Sequence, residues 1–444
     1  MLQRLHLRMG DFWWYSLMLF IACRAADLMN AFVGLWLVPK YVATSELGAV
    51  MPLVNFANFL AIPAAVFANM FRNEVSRLSI GREFGRLKTL MRGVFVATAL
   101  FLFFAIIVSR LLLPMFLERI RIVEGSLGLL IIVASFVGAV APVYANAMQS
   151  LKKFRSYSLM NVLGAPVRLL TMMVAMPFRA ISGYFVGQTA TPVFNIVAAV
   201  FCLRKELSVP AEPYWNNEVL ARFTRLFLIF AAISVSGSVS SLVEAMVLRQ
   251  RLPDLDSAGY YMATRFSDIA TFLNNTLCFT IFPFAAELSA KGRDTRPIVL
   301  KASLATLAFC VAVAAPFFFI GRPILSMLPH GEEYAAYWWA IPWQIGITSL
   351  ACVTGIYTTA EISAERFGYL KWFMPINFAN AALLLFVTGY GYFTEWLPTG
   401  LTRFLSLHNI ASLDAMLWWL TASAALRFIC CAISLSRKRQ KQFP

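Results

Sequence analysis

Four arginines interrupt otherwise apolar stretches of the chain: Arg24, Arg168, Arg265 and Arg427. A charged side chain at the centre of a bilayer costs about 2.5 to 3.5 kcal/mol, so these guanidinium groups must face protein or water. A guanidinium presents a planar fork of donors that suits phosphate or carboxylate. One interpretation is therefore that the four arginines line a central cleft and bind an anion such as a phosphate.

The alternative interpretation is that these charges are neutralised locally. Asp27 follows Arg24 by three residues, and Asp268 follows Arg265 by the same interval. Residues three apart are neighbours on a helix surface, so each pair can form an ion pair within its own helix. Arg427 has a simpler alternative, because its long side chain can reach the cytoplasmic headgroups.

Three acidic residues also lie in apolar stretches: Asp27, Glu244 and Asp268. A carboxylate inside a membrane protein can carry a proton or hold a cation, which would couple the protein to an ion gradient. A carboxylate beside basic neighbours is equally well explained as a counter-ion. Ion coupling is therefore one of two interpretations for these residues.

Motifs of common enzymes are missing from the sequence. It contains no G-x-x-x-x-G-K-[ST] phosphate loop for ATP hydrolysis. His6, His330 and His408 are far apart, and the seven cysteines show no C-x-x-C spacing. We therefore expect no catalytic residue, no metal site and no cofactor. The cluster His330-Gly331-Glu332-Glu333 could perform acid-base chemistry, and its alternative is a solvated loop.

Composition places the elements that carry these residues in a membrane. Sixty per cent of the 444 residues are hydrophobic and only 14% are charged, too few to cover a water-facing surface. A bilayer core is crossed by about 20 apolar helical residues. The apolar runs predict an all-α integral membrane protein of about twelve transmembrane helices, near 12–38, 47–71, 91–114, 126–149, 156–177, 181–203, 223–249, 259–285, 298–321, 335–359, 368–393 and 414–436.

A polar linker that contains Pro210 and Pro213 divides these helices into two groups of six. This division predicts an N-terminal six-helix bundle at 1–205 and a cytoplasmic linker at 206–222. The remainder, 223–444, is predicted to be a C-terminal six-helix bundle with a basic cytoplasmic tail.

Lysine and arginine are distributed unevenly between the two predicted sides of the membrane. One side holds 25 of the 38 and the other holds nine, Arg249 among them. Cytoplasmic loops retain basic residues, so both termini are predicted to be cytoplasmic. Because the basic residues form short clusters between apolar runs, the net charge of +16 indicates topology and not a nucleic-acid partner.

The two halves show a weak internal repeat. A shift of 211 residues aligns Gly48 with Gly259 and the inner-loop pair Gly81-Arg82 with Gly292-Arg293. Because six helices separate the copies, both halves have the same orientation. This predicts a pseudo-twofold axis along the membrane normal, with a cleft between the halves.

Four short segments are KYVATSELG at 40–48, DSAGYY at 256–261, PFAAELS at 283–289 and GEEY at 331–334. Together they resemble the polysaccharide-transporter branch of the multidrug, oligosaccharidyl-lipid and polysaccharide (MOP) exporter superfamily, which includes the O-antigen flippases. The likeness spans most of the chain, although each motif is short. The GEEY match favours an ordinary loop over an acid-base site.

The resemblance implies a MATE/MurJ-like fold and a flippase, not an enzyme. Its cargo would be an undecaprenyl-pyrophosphate-linked oligosaccharide, moved across the bacterial inner membrane by alternating access for surface polysaccharides such as the O-antigen of lipopolysaccharide. The implied partners are this lipid-linked oligosaccharide and membrane lipids, with a glycan polymerase and chain-length proteins as a further option. Arg24 and Arg265 fall in helices one and eight, where the related lipid II flippases also carry cleft arginines.

Two other functions stay open at this point. A cation-coupled multidrug exporter of the same superfamily would use Glu244 and Asp268, although drug exporters tend to have acidic clefts and the arginines argue against one. A membrane glycan polymerase or ligase would act through His330, Glu332 and Glu333.

Overall fold

The structure is a computed structural model that describes residues 24, 26–63, 83–120, 127–151, 153–364, 366–387 and 412–436, with isolated positions between 66 and 78. Regular structure in these ranges is entirely helical. Several predictions lie outside the described residues: most of the first half of the helix near 12–38, His6, His408, Gly81-Arg82 and the basic tail after 436.

The longer helices are labelled in chain order. They are α1 (Val50–Leu60), α2 (Phe84–Arg119), α3 (Leu127–Ser150), α4 (Phe154–Ala175), α5 (Ala180–Cys202), α6 (Asn217–Arg251), α7 (Asp254–Ala290), α8 (Arg296–Ala314), α9 (Phe317–Ser326), α10 (Ala340–Ser363), α11 (Leu370–Val387) and α12 (Leu413–Ser436). Shorter elements are a π-helical turn (Val33–Leu37), single helical turns (Val38–Tyr41, Thr44–Leu47, Arg204–Leu207, Gly331–Tyr334) and a 3-10 turn (Ala335–Tyr337). The helical residues from 24 to Tyr41 are called the first helix.

Eight of the described helices are long and apolar enough to cross a membrane: α3 to α8, α10 and α12. The other predicted spans overlap the first helix, α1, α2 and α11. In a bilayer no water satisfies backbone donors and acceptors, so each span must bond its own backbone as a helix. The predicted fold class, an all-α membrane protein, is confirmed.

Two predicted helices are longer in the structure than in the sequence analysis. α6 has 35 residues and α7 has 37, against predictions of 223–249 and 259–285. At about 1.5 Å per residue each is roughly 50 Å long, whereas the hydrocarbon core is about 30 Å thick. Both helices therefore project beyond the bilayer core, where water is available and placing polar residues such as Asn217 and Asp254 costs little free energy.

The predicted helix near 298–321 is two helices in the structure. α8 ends at Ala314 and α9 begins at Phe317, directly after Pro316. Proline has no backbone N–H and its ring crowds the preceding turn, so it interrupts a helix. The prediction of a single helix at this position is corrected.

Two compact units make up the fold. The N-terminal unit comprises Leu28–Val33 and Tyr41–Gln250, so it includes nearly all of α6. The C-terminal unit comprises Met1–Asp27, Gly34–Lys40 and Arg251–Pro444. The predicted domain bounds of 1–205, 206–222 and 223–444 stay a prediction.

In the N-terminal unit, α5 packs against both α3 and α4. Phe56 of α1 stacks on Phe116 of α2, with ring centroids 4.4 Å apart. Arg249, counted above with the outer cations, is only 2% exposed. Its guanidinium donates to the backbone oxygens of Ser45 at 2.8 Å and Ile120 at 3.3 Å, so it joins the helical turn Thr44–Leu47 to the end of α2 inside the unit.

The linker between α5 and α6 packs on the first turns of α2. Lys88 donates to the backbone oxygen of Val209 at 2.9 Å, and Thr89 donates to that of Glu212 at 2.6 Å. The Glu212 N–H donates in turn to the Gly85 oxygen. The linker therefore has a defined path, because side chains of α2 satisfy its backbone carbonyls.

In the C-terminal unit, α10 packs against α7, α8 and α12. The Trp343 indole donates to the Thr421 hydroxyl at 2.9 Å, and the Trp419 indole donates to the Asn380 side-chain oxygen at 2.8 Å. Such bonds hold transmembrane helices together because polar groups in an apolar medium have few other partners.

Candidate functional site

Arg24 of the first helix lies against α7 in the C-terminal unit. Its Nη2 is 2.8 Å from the Asp27 carboxylate and donates to the Phe272 backbone oxygen at 3.0 Å. Its Cζ is 4.8 Å from the centre of the Phe272 ring, and its Nη2 is 3.5 Å from the Thr276 hydroxyl. The guanidinium is thus held by a carboxylate, a carbonyl and an aromatic face, and the side chain is 21% exposed.

Arg265 has a similar environment on α7 itself. Its Nη1 is 3.0 Å from the Asp268 carboxylate, and its Cζ is 5.3 Å from the centre of the Tyr261 ring. The Tyr261 hydroxyl donates to the Gly34 backbone oxygen at 3.1 Å. The Arg265 side chain is 22% exposed and Asp268 is 43% exposed.

A glycine on the first helix makes room for Arg265. A Cβ added at Gly34 would lie 2.8 Å from the Arg265 Cδ, closer than real Cβ atoms come to a neighbour. Any side chain at residue 34 would therefore displace the arginine. Gly34 lets the backbone of the first helix approach α7 at this point.

Arg24 and Arg265 therefore belong to one helix pair. Along α7, Phe272, which contacts Arg24, lies seven residues after Arg265, a distance of about 10 Å at 1.5 Å per residue. Each arginine is paired with an acidic residue three positions later and remains partly exposed. The pair can bind two neighbouring anionic groups if each carboxylate yields its place to the anion.

The other predicted site residues, Arg168, Glu244 and Arg427, have hydrogen-bond partners of their own. Arg168 of α4, in the N-terminal unit, donates to the Asn30 side-chain oxygen at 2.8 Å, and its Cζ is 6.0 Å from the centre of the Tyr184 ring. Glu244 of α6 accepts a hydrogen bond from Ser240 at 3.1 Å, also in the N-terminal unit.

Arg427 of α12 donates to Ser423 at 2.9 Å, one turn earlier in the same helix of the C-terminal unit. The structure thus joins Arg24, Asp27, Arg265 and Asp268 through one helix pair. That Arg168 and Arg427 line a shared cleft with them stays a prediction.

Sequence reasoning identified the charged members of the site but missed their neighbours. Gly34, Phe272 and Thr276 are ordinary residues in apolar runs and carry no signal of their own. Asn30 could have been noticed, because it is an amide in an apolar stretch and lies six residues after Arg24.

The loop around His330 is a structural turn. His330 has a φ of 56°, and Gly331–Tyr334 forms a single helical turn directly after it. Tyr334 is fully buried, whereas Glu332 and Glu333 are exposed. Among the described residues no group of three or more His, Cys, Asp or Glu side chains could hold a metal ion.

Comparisons with solved structures identify the fold. A MATE transporter in the straight conformation matches with a TM-score of 0.67 at 11% identity, over 97% of this chain and 98% of that chain. The lipid II flippase MurJ, in an inward closed conformation, matches with a TM-score of 0.61 at 11% identity, over 95% and 88%. An inward-facing multidrug resistance MATE transporter of the MOP superfamily matches with a TM-score of 0.59 at 12% identity, over 94% of both chains.

No protein-family model and no curated protein matches the chain. At 11% to 12% identity the structural likeness shows the fold alone. The chain is therefore a multi-pass membrane protein with a MATE/MurJ-like fold.

Proposed function

We infer that the chain is a flippase that moves an undecaprenyl-pyrophosphate-linked oligosaccharide across the bacterial inner membrane by alternating access. The observation that carries this proposal is the helix pair that holds Arg24 and Arg265. Both guanidinium groups are partly exposed, and both are supported by an aromatic ring.

Pyrophosphate is a suitable ligand for this arrangement. Each guanidinium can donate two parallel hydrogen bonds to phosphate oxygens, which a lysine cannot do. Asp27 and Asp268 keep the empty arginines neutralised, and this lowers the cost of charges inside a membrane protein. When the anion binds, it takes over the role of the carboxylates, and Asp268 is exposed enough to turn away.

The fold supports translocation over synthesis. The structural neighbours are transporters, and one is named as a flippase for lipid II. An enzyme function through His330, Glu332 and Glu333 has weaker support, because the histidine backbone caps a helical turn and the two glutamates are exposed.

A cation-coupled multidrug exporter is the second candidate. Two of the three neighbours described above are MATE transporters, one of them named for multidrug resistance. Glu244 is partly buried in α6 and could carry a proton or hold a cation. The two candidates differ in the charge of the cargo, so replacing the arginines separates them.

The test is the double variant Arg24→Ala, Arg265→Ala in a strain whose own copy of the gene is deleted. We expect surface glycan, measured on gels of extracted polysaccharide, to fall at least tenfold while the protein still inserts in the membrane. The lysine double variant should keep part of the activity, because it retains the charge but not the forked geometry.

Arg204→Ala is the matched control. Arg204 also lies over an aromatic ring, with its Cζ 4.6 Å from the Phe201 centroid, but it is exposed in the turn after α5. This variant should keep full glycan output. Full output in the alanine double variant would refute the flippase proposal. A deletion strain that gains sensitivity to cationic dyes with unchanged surface glycan would support the exporter.

A further inference from the structure

A cavity of about 480 Å³ lies within the N-terminal unit. Its walls come from α1, α3 and α6. This volume falls within the range of about 300 to 1,000 Å³ that small-molecule sites occupy. None of its lining residues belongs to the Arg24 and Arg265 site.

The polar side chains that line this cavity are all neutral, and they lie among small and aliphatic residues. Asn55 and Asn58 face it from α1, and Ser234, Ser238 and Ser241 face it from α6. The described lining residues include no charged and no aromatic side chain. A charged ligand would therefore lose water here without gaining a counter-charge, which is unfavourable.

Hydrogen-bonding capacity is built into the walls. The Asn55 amide nitrogen donates to the Ser241 backbone oxygen at 3.0 Å, which joins α1 to α6 and fixes the orientation of that amide. Asn58 and Ser241 are exposed, so their side chains are accessible. Amides and hydroxyls both donate and accept, as the hydroxyl groups of a sugar do.

Two glycines in the walls lie where no neighbouring atom excludes a side chain. A Cβ added at Gly138 of α3 or at Gly237 of α6 would have no atom within 4 Å. Glycine weakens a helix interior relative to alanine, and at Gly34 it is explained by close packing. At Gly138 and Gly237 the missing side chain only enlarges the cavity.

We propose that this cavity is a carbohydrate site that binds a neutral sugar residue of the transported lipid-linked glycan. The assignment to transported glycan rests on the proposed function. The affinity for a sugar rests only on the neutral hydroxyl and amide side chains in the cavity walls. A flippase needs such a site, since the glycan hydroxyls must find hydrogen-bond partners when they leave water.

The experiment measures sugar binding to the purified full chain in lipid nanodiscs, which bring no sugar headgroup. Three probes share one ring and differ in charge: N-acetylglucosamine is neutral, glucosamine is cationic and glucuronate is anionic. Saturation-transfer difference NMR should show transfer to N-acetylglucosamine at least fivefold above that to either charged probe. Equal transfer to all three, or a preference for glucosamine, would overturn the proposal.

Gly237→Phe should fill the cavity and reduce transfer to N-acetylglucosamine at least fivefold. Gly346→Phe is the matched control, because Gly346 is also a helical glycine with open space around its Cβ position but lies in α10. If Gly237→Phe does not fold, Asn58→Leu with Ser238→Ala removes two of the five polar side chains in the walls with little change in volume and should have the same effect. Unchanged transfer in a folded variant of either kind would refute the site.

The result can be separated from the test of the proposed function. If the Arg24 and Arg265 double variant keeps full glycan output but Gly237→Phe abolishes sugar binding, the flippase proposal fails and the carbohydrate site stands. If the double variant loses glycan output but sugar transfer does not depend on Gly237, the carbohydrate site fails and the flippase proposal stands.

Discussion

A buried carboxylate at Glu74 gives a direct test of packing in the N-terminal unit. Glu74 is 2% exposed, accepts a hydrogen bond from the Tyr214 hydroxyl at 2.6 Å and pairs with the Arg222 guanidinium. Tyr214→Phe removes the hydroxyl and keeps the ring that packs edge-on against Trp215. A hydrogen bond to a charged group contributes about 1.5 to 3 kcal/mol, so we expect Tyr214→Phe to lower the free energy of unfolding by about 2 kcal/mol.

Arg222→Ala should cost less, although it removes a full charge. The Arg222 side chain is 50% exposed, so solvent screens its attraction to Glu74 and can replace part of it. We expect the free energy of unfolding to fall by about 1 kcal/mol, less than the 3 to 5 kcal/mol typical when one partner of a fully buried ion pair is removed. The double variant should not be additive, because both partners act on one carboxylate.

The assay is unfolding of the purified chain by sodium dodecyl sulfate, followed by tryptophan fluorescence. A loss of 2 kcal/mol changes the unfolding equilibrium constant by a factor of about 30. Tyr144→Phe is the matched control, because Tyr144 is a partly buried tyrosine of α3 with no hydrogen bond to its hydroxyl among the described residues. If Tyr214→Phe stays within about 0.5 kcal/mol of this control, the reasoning about Glu74 is wrong.

Two further predictions concern helix packing in the C-terminal unit. Gly34→Leu should displace the Arg265 side chain and lower the free energy of unfolding by about 1 to 3 kcal/mol through overpacking. It should also reduce surface glycan, as we expect of Arg265→Ala. Gly346→Leu should change neither stability nor surface glycan, because the Cβ position of Gly346 is open. Normal glycan output in Gly34→Leu would contradict the role given to this close approach. Thr421→Val removes the acceptor of the Trp343 indole and should destabilise the unit by about 0.6 kcal/mol and at most about 1.7, measured by the same unfolding assay.

The helices themselves could be predicted because the bilayer imposes a local rule. A segment that enters hydrocarbon must satisfy its own backbone groups, so hydropathy over about 20 residues is enough to locate it. The ends of the helices are harder to predict from hydropathy. The ninth predicted helix ends at 321, although Pro316 interrupts it. The seventh and eighth predicted helices are too short, chiefly at their starts, because helices can continue through polar residues at the membrane interface.

Part of the candidate site was also accessible to local reasoning. The pairs Arg24–Asp27 and Arg265–Asp268 follow from helical spacing, and both are present at 2.8 and 3.0 Å. The burial of Arg249 could not be predicted. Its partners are backbone oxygens more than 100 residues away, and a carbonyl has no sequence signature.

By itself, the sequence determined that this is a helical membrane protein with charges inside its spans, because hydropathy and i,i+3 spacing act over one or two turns. Only the tertiary structure decided that Arg24 and Arg265 lie on one packed helix pair, with Gly34 making room. It alone placed Asn55 beside Ser241, on the wall of a neutral cavity. These contacts join residues 186 to 248 positions apart, and side-chain packing between helices, not local hydropathy, selects such partners.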